Sequence, residues 1–290
     1  SDNFTITYGT SGDDTATLST DNTDVLYIAG DGDDTITMTD NNSDYAIFGG
    51  DGNDIIANTQ SSSARKHLFD GGAGNDTLFA SAHHNVVYKG GAGNDVFVLN
   101  YNTSWKWDSG NAFGGNDNNQ DGIINYDEYY NIQGVVADFE NGSDKIGLKG
   151  SDWSGKTIVV QQGTGTMSSH TFLLTGSDER GGDSDYQYWL ILWNTNASDI
   201  TSDDFVLVDA SYATSSLSGV TISASISDAG LESEDGRLDG SGSEDAFLVT
   251  GILDSSSGFQ FDNLNNPDPV FEINQLDNLV FNNYQISTEN

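Results

Sequence analysis

A six-residue block rich in glycine and ending in aspartate recurs through the N-terminal third of the chain, and recurrence at near-fixed spacing restricts a chain to stacked, solenoid-like folds. The blocks are Gly9-Thr-Ser-Gly-Asp-Asp14, Ala29-Gly-Asp-Gly-Asp-Asp34, Gly49-Gly-Asp-Gly-Asn-Asp54, Gly71-Gly-Ala-Gly-Asn-Asp76 and Gly90-Gly-Ala-Gly-Asn-Asp95. Their final aspartates are 20, 20, 22 and 19 residues apart. Each block precedes a short strand whose middle residue is apolar: Ala16, Ile36, Ile56, Leu78 and Phe97. The pattern is the nonapeptide G-G-x-G-x-D-x-U-x. Weaker copies lie halfway between, with Asp24, Asp44, Lys66 and Asn85 in sixth place and Leu26, Ala46, Leu68 and Val87 in the apolar place. One coil therefore reads turn, strand, turn, strand, with complete turns on one edge and degenerate turns on the other. A flexible glycine-rich linker would not keep an apolar residue in register through successive half-coils.

The turn chemistry points to a cation. Glycine permits positive φ and close backbone approach, so a turn can aim carbonyl oxygens inward while its last aspartate adds a carboxylate. Calcium, which takes about six to eight oxygen ligands, suits the gap between one turn and the next, and the full turns leave about four such gaps. The candidate ligands are Gly9, Ser11, Gly12 and Asp14; Gly30, Gly32 and Asp34; Gly49, Asp51, Gly52 and Asp54; Gly71, Ala73, Gly74 and Asp76; and Gly90, Ala92, Gly93 and Asp95. Lys66 opposes binding on the degenerate edge.

Charge agrees with this reading. Asp and Glu number 45 against 9 Lys and Arg, a net charge of −36, which repels nucleic acid and anionic membrane and leaves cations as the natural partner. Two carboxylates about 4 Å apart repel by about 4 kcal/mol at an effective dielectric near 20, so a scaffold that gathers them needs a counter-ion. Such acidity often leaves a chain unfolded, yet 5 Trp, 12 Tyr and 14 Phe argue for a fold. Both hold if a bound cation switches folding on. The absence of cysteine excludes disulfides, zinc thiolate sites and thiol catalysis. No apolar run is long enough to span a bilayer, so no membrane insertion is expected. No signal peptide opens the chain, and its start at Ser1 suggests a processed or excised fragment.

Beyond the repeat, residues 117–128 fit the twelve-residue EF-hand loop. Asp117, Asn119, Asp121, Ile123, Asn125 and Glu128 stand in ligand places, with Gly122 at the sharp turn. The preceding Asp108-Ser-Gly-Asn-Ala-Phe-Gly-Gly is not helical, so a loop is expected rather than the paired-helix fold; the plain alternative is a solvated acidic loop. Residues 135–148 read as strand, turn, strand, in which Asp138 and Asp144 either complete a terminal ion site or sit solvated in an ordinary hairpin. Residues 151–209 are expected to cap the roll with antiparallel strands, because a solenoid end needs covering. In 210–290, the segment Gly240-Ser-Gly-Ser-Glu-Asp245-Ala-Phe-Leu, with Asp235 ten residues before Asp245, suggests a short second roll or part of a small β-sandwich.

The nonapeptides over residues 9–100 resemble the repeats-in-toxin (RTX) family of calcium-binding β-roll proteins. Residues 135–148 and 196–206 are similar to the module that closes the roll in serralysin-type secreted proteases. The resemblance implies an all-β fold: a parallel β-roll solenoid with calcium-binding turns over 1–110, an EF-hand-like loop and antiparallel cap over 111–209, and a C-terminal β region over 210–290. It implies several calcium ions, type I secretion, and an extracellular or cell-surface location. Low cytosolic calcium would then keep the chain unfolded for export, and extracellular calcium would fold it.

Catalytic signatures are missing. None of His67, His83, His84 and His170 lies in H-E-x-x-H, and no G-x-S-x-G elbow occurs, so the chain reads as a non-catalytic module. His83-His84 reads as a solvated pair. Three roles stay open. The module serves secretion, scaffold or surface roles; or, alternatively, it is a calcium-dependent adhesin that binds polysaccharide or cell-surface glycan through Tyr101, Trp105 and Trp107, or Trp189 and Trp193, or an accessory domain of a secreted hydrolase, lyase or epimerase. Arg65, Lys66, His67, Lys89 and Lys106 would supply local positive charge for an acidic glycan. Packing within strands is the plainer reading of those aromatics. The third role takes Thr5/Thr7, Thr15/Thr17 and Thr35/Thr37 as an outward rank that orders water against ice; that rank stops at Ile55/Ala57, Thr77/Phe79 and Val96/Val98.

Overall fold

Strands separated by glycine turns cross alternately between two sheets. A computed structural model describes residues 4–19, 24–39, 43, 45–59, 65–80, 84–100, 134–150, 153–163, 168–176 and 186–224, and short strands between 253 and 287. The first sheet takes β1 (Phe4–Tyr8), β3 (Asp24–Asp31), β5 (Tyr45–Asp51), β7 (Arg65–Ala73), β9 (His84–Ala92) and β11 (Gly134–Val136) in parallel order. The second takes β2 (Thr15–Leu18), β4 (Thr35–Met38), β6 (Ile55–Asn58), β8 (Thr77–Ala80), β10 (Val96–Asn100) and β12 (Lys145–Lys149), again in parallel. Each turn-strand-turn-strand unit thus adds one rung to each sheet.

The stacking outlasts the glycine blocks. Gly134 pairs with Val86 and Lys145 with Val96, so β11 and β12 belong to opposite sheets and form a further coil rather than a hairpin. After β12, the chain runs through β13 (Thr157–Gln162), β14 (Thr171–Gly176) and β15 (Tyr186–Leu192), an antiparallel meander. β15 then rejoins β11 in parallel, and β16 (Phe205–Val208) rejoins β12. β17 (Thr214–Ser216) runs antiparallel to β16, and β18 (Thr221–Ser223) lies beside β13. The architecture is all-β, a parallel roll followed by an antiparallel β cap. The remaining strands, β19 (Leu253–Asp254), β20 (Gly258–Phe261), β21 (Phe271–Ile273), β22 (Asn278–Phe281) and β23 (Tyr284–Ser287), form an antiparallel meander. The Asp235 and Asp245 echo falls outside the described residues. No helix among the described residues is long and apolar enough to cross a membrane.

The core fills the space between the sheets. The second sheet contributes Ile36, Ile56, Leu78, Phe97, Ile146 and Phe205, the first four being the apolar residues of complete nonapeptides. Facing them are Val25, Tyr27, Tyr45, Ile47, Phe69, Val86, Tyr88 and Val136 of the first sheet, and the Tyr88 ring meets Phe69 and Phe97 edge-on. This corrects the register expected for the weaker copies. Leu26, Ala46, Leu68 and Val87 alternate with the core residues, so they point to the opposite face of the sheet, yet all are 1% exposed or less. A shift of one residue moves a whole strand's side chains to the other face. Each of these four is flanked on both sides by an apolar or ring-bearing residue (Val25 and Tyr27, Tyr45 and Ile47, His67 and Phe69, Val86 and Tyr88), so alternation could not decide, and the bulkier Tyr27, Ile47, Phe69 and Tyr88 took the interior.

The same register revises the threonine rank. Thr5 pairs with Val25 and Thr7 with Tyr27, on the interior-facing side of the first sheet, whereas Thr15/Thr17 align with Thr35/Thr37 in the second. The outward rank therefore spans two strands, not three. Further along that outer face, Ala57, Phe79, Val98 and Val208 are buried, and Lys149 Nζ lies 3.4 Å from the Tyr212 ring centre and 4.5 Å from that of Phe79.

Candidate metal centre

The complete turns stack along one edge, and glycine is needed there for contact as well as conformation. In four of the five complete turns the second place holds a glycine with positive φ: 120° at Gly30, 113° at Gly50, 103° at Gly72 and 94° at Gly91, while the first turn has Thr10 there. A Cβ on Gly72 would run into the Gly50 carbonyl oxygen of the preceding coil, and Gly50 and Gly91 repeat that contact with Gly30 and Gly72. A Cβ on Gly49 would occupy the space where Asp54 Oδ2 and the Gly71 carbonyl oxygen converge. Two acceptors from adjacent coils thus border one cradle.

Two hydrogen-bond ladders run along this edge in opposite senses. In the first, the sixth-place aspartate accepts from the preceding coil: Asp14 N–H donates to Asp34 Oδ1 (2.6 Å), Asp34 to Asp54 (2.8 Å), Asp54 to Asp76 (2.8 Å), Asp76 to Asp95 (2.9 Å) and Asp95 to Asp144 (3.0 Å). In the second, the fifth-place side chain accepts from the following coil: Asp33 N–H donates to Asp13 Oδ1 (3.0 Å), Asn53 to Asp33 (2.7 Å), Asn75 to Asn53 (2.8 Å) and Asn94 to Asn75 (2.9 Å). The sequence reading missed the second ladder. Its signal was present, since the variable fifth place holds only Asp or Asn in all five blocks.

The first ladder uses one oxygen of each carboxylate. The other, Oδ2 of Asp34, Asp54, Asp76 and Asp95, is buried without a hydrogen-bond partner. Those residues are at most 1% exposed. A buried, unpaired carboxylate oxygen is costly, and native proteins rarely leave one. Burial drives the carboxyl groups upward, to about 6 at Asp54, about 8 at Asp76 and about 6 at Asp95; backbone donors oppose this and neighbouring aspartates reinforce it. Asp34 shifts in the same direction, also through burial. The edge therefore presents acceptors to acceptors, an arrangement that a hard cation completes. Among the described residues, no three His, Cys, Asp or Glu side chains cluster around one point. An ion here would draw on one carboxylate per coil and on backbone carbonyls, an oxygen-only set that fits calcium.

The ladder ends differ. Asp14 Oδ2 accepts from Thr10 N–H (2.6 Å), with Thr10 Oγ1 3.0 Å away, and Asp144 Oδ2 accepts from Glu140 N–H (2.8 Å). Asp138, a candidate ligand by sequence, has both oxygens engaged, accepting from Gly90 and Gly91 N–H at 3.0 Å each, so it clamps the last glycine turn. The third-place carbonyls of Asp51, Ala73 and Ala92 accept from Gly32, Gly52 and Gly74 N–H of the preceding coil. Ser11 lies in the first turn and is exposed.

Other sequence candidates fall elsewhere. The 117–128 loop, with Asp117, Asn119, Asp121, Ile123 and Glu128, lies outside the described residues, as do Asp44, His83, Tyr101, Trp105, Lys106 and Trp107. Lys89 forms an ion pair with Asp70 at 2.8 Å. His67 is buried, with Nδ1 accepting from Tyr45 N–H and Nε2 2.9 Å from Asn58 Nδ2, a structural role. His170 stacks on Trp193 with ring centres 3.5 Å apart, and burial lowers its pKa to about 4.

No protein-family model matches the chain, and no curated protein sequence does. Among solved structures, the chain is similar to the solution structure of a subunit of the Azotobacter vinelandii mannuronan C5-epimerase, at 20% identity over 68% of this chain and 80% of that one, with a TM-score of 0.23. That likeness is too distant to bear on function.

Proposed function

We propose that this chain is a non-catalytic calcium-binding β-roll module, secreted or displayed at a cell surface, whose roll is completed by calcium along the edge of complete turns. The observation that carries this reading is the row of four partnerless buried carboxylate oxygens on Asp34, Asp54, Asp76 and Asp95. In each gap, the aspartate Oδ2 and carbonyls of the two adjacent turns would hold the ion, which neutralises the like charges gathered there. This reading keeps about four gaps and sets them one coil further along than the repeat alone suggests. The gap at Asp14 is filled by protein donors, and the gap after Asp95 is added by the Asp144 turn. The glycan-binding alternative gains nothing from Trp193, whose ring is taken up by His170.

Calcium stoichiometry by equilibrium dialysis tests the reading. Asp76→Asn should bind at least one ion fewer than the wild-type chain. Equal counts would sink the proposal.

A further inference from the structure

The two closed ends of the carboxylate ladder share one device. In both, the donor to Oδ2 is the backbone N–H four residues before the aspartate, Thr10 for Asp14 and Glu140 for Asp144. In the four open turns, that place is held by Gly30, Gly50, Gly72 and Gly91, all at positive φ, and the aspartate Oδ2 has no partner. Thr10 and Glu140 are not at positive φ. A side chain with a Cβ resists that region, whereas glycine enters it freely. The identity of this residue thus goes with the sign of its φ, and that sign with whether the carboxylate is satisfied from within.

We infer that the residue four before each ladder aspartate determines whether its turn takes an ion, and that Thr10 and Glu140 are the stops which end the ladder. This rests on the calcium reading above. At the first turn, the closed state has three supports. Thr10 N–H sits 2.6 Å from Asp14 Oδ2, its hydroxyl 3.0 Å from the same oxygen, and Gly12 lacks the positive φ of Gly32, Gly52, Gly74 and Gly93. The space beside Gly9 is bordered by Asp14 Oδ2 and the Ala29 carbonyl oxygen, the counterpart of the Asp54 and Gly71 cradle. The first gap therefore has the open gaps' oxygens and differs in the donors from Thr10 and in the φ of Gly12. Replacing Thr10 by glycine removes the hydroxyl and frees the peptide to turn, which converts a stop into a site.

Calcium stoichiometry of the whole chain tests this in one set of variants. Asp14→Asn in the wild-type background should leave the count unchanged, Thr10→Gly should raise it by one ion per chain, and Thr10→Gly with Asp14→Asn should return it to the wild-type value. Loss of an ion in Asp14→Asn, or no gain in Thr10→Gly, overturns the inference. Asp76→Asn separates the two proposals: an ion lost there while Thr10→Gly gains none leaves the ladder standing without its stops. An unchanged count in Asp76→Asn overturns both.

Discussion

Asp76 is the residue on which the edge places most strain. It is fully buried, lies between Asp54 and Asp95 in the ladder, and burial raises its pKa from 3.8 to about 8. A carboxyl whose folded-state pKa exceeds its unfolded value binds more protons when folded, so stability falls as pH rises between the two values. The metal-free chain should therefore lose stability from about pH 4 to about pH 8. Calcium requires the ionised form, so its affinity should rise over the same window. The β signal of the calcium-depleted chain, followed by far-ultraviolet circular dichroism as pH rises from about 4 to about 8, checks the first point. It should fall over that window, and Asp76→Asn should narrow the fall.

The turn is the element that decides stacking, and two glycines separate contact from conformation. Gly72 and Gly142 both have positive φ, but a Cβ would strike the Gly50 carbonyl at the first and meet nothing within 4 Å at the second. Gly142→Ala should cost about 1 kcal/mol of backbone strain. Gly72→Ala should cost clearly more, because neighbouring coils must also separate. Comparison of urea midpoints in saturating calcium tests the order, and equal losses would refute the stacking argument. The strands after complete turns were legible in the sequence, since Ile36 and Leu78 are flanked by residues that alternation sends outward. The weaker strands were not, because Val25-Leu26-Tyr27 and Val86-Val87-Tyr88 offer apolar side chains to both faces. The ladder's sixth rung was legible only as two acidic candidates, since its turn lacks the glycine pair and Asp144 reveals its place through the bond from Asp95 N–H.

Across the whole molecule, like charge opposes the fold that the apolar core favours. Each ion bound only by the folded chain adds about 2.7 kcal/mol at a hundredfold excess over its Kd, so several linked sites make folding steep in calcium. Far-ultraviolet circular dichroism at pH 8 should show weak β signal in EGTA and full signal in calcium. Full signal in EGTA would remove the switch.

The spacing of the ladder aspartates carries a separate consequence for how such a chain can grow. Successive rungs are separated by 20, 20, 22, 19 and 49 residues, yet the bonds between them stay between 2.6 and 3.0 Å. The extra length of the last interval, residues 101–133, joins β10 to β11, and the 150–185 excursion joins β12 to β15; both leave from the edge opposite the glycine turns. One edge thus keeps a constant pitch while the two long connections leave from the other. That asymmetry makes the degenerate edge a set of natural graft points, where a foreign loop or small domain could be spliced in without changing the count of coils or their alignment.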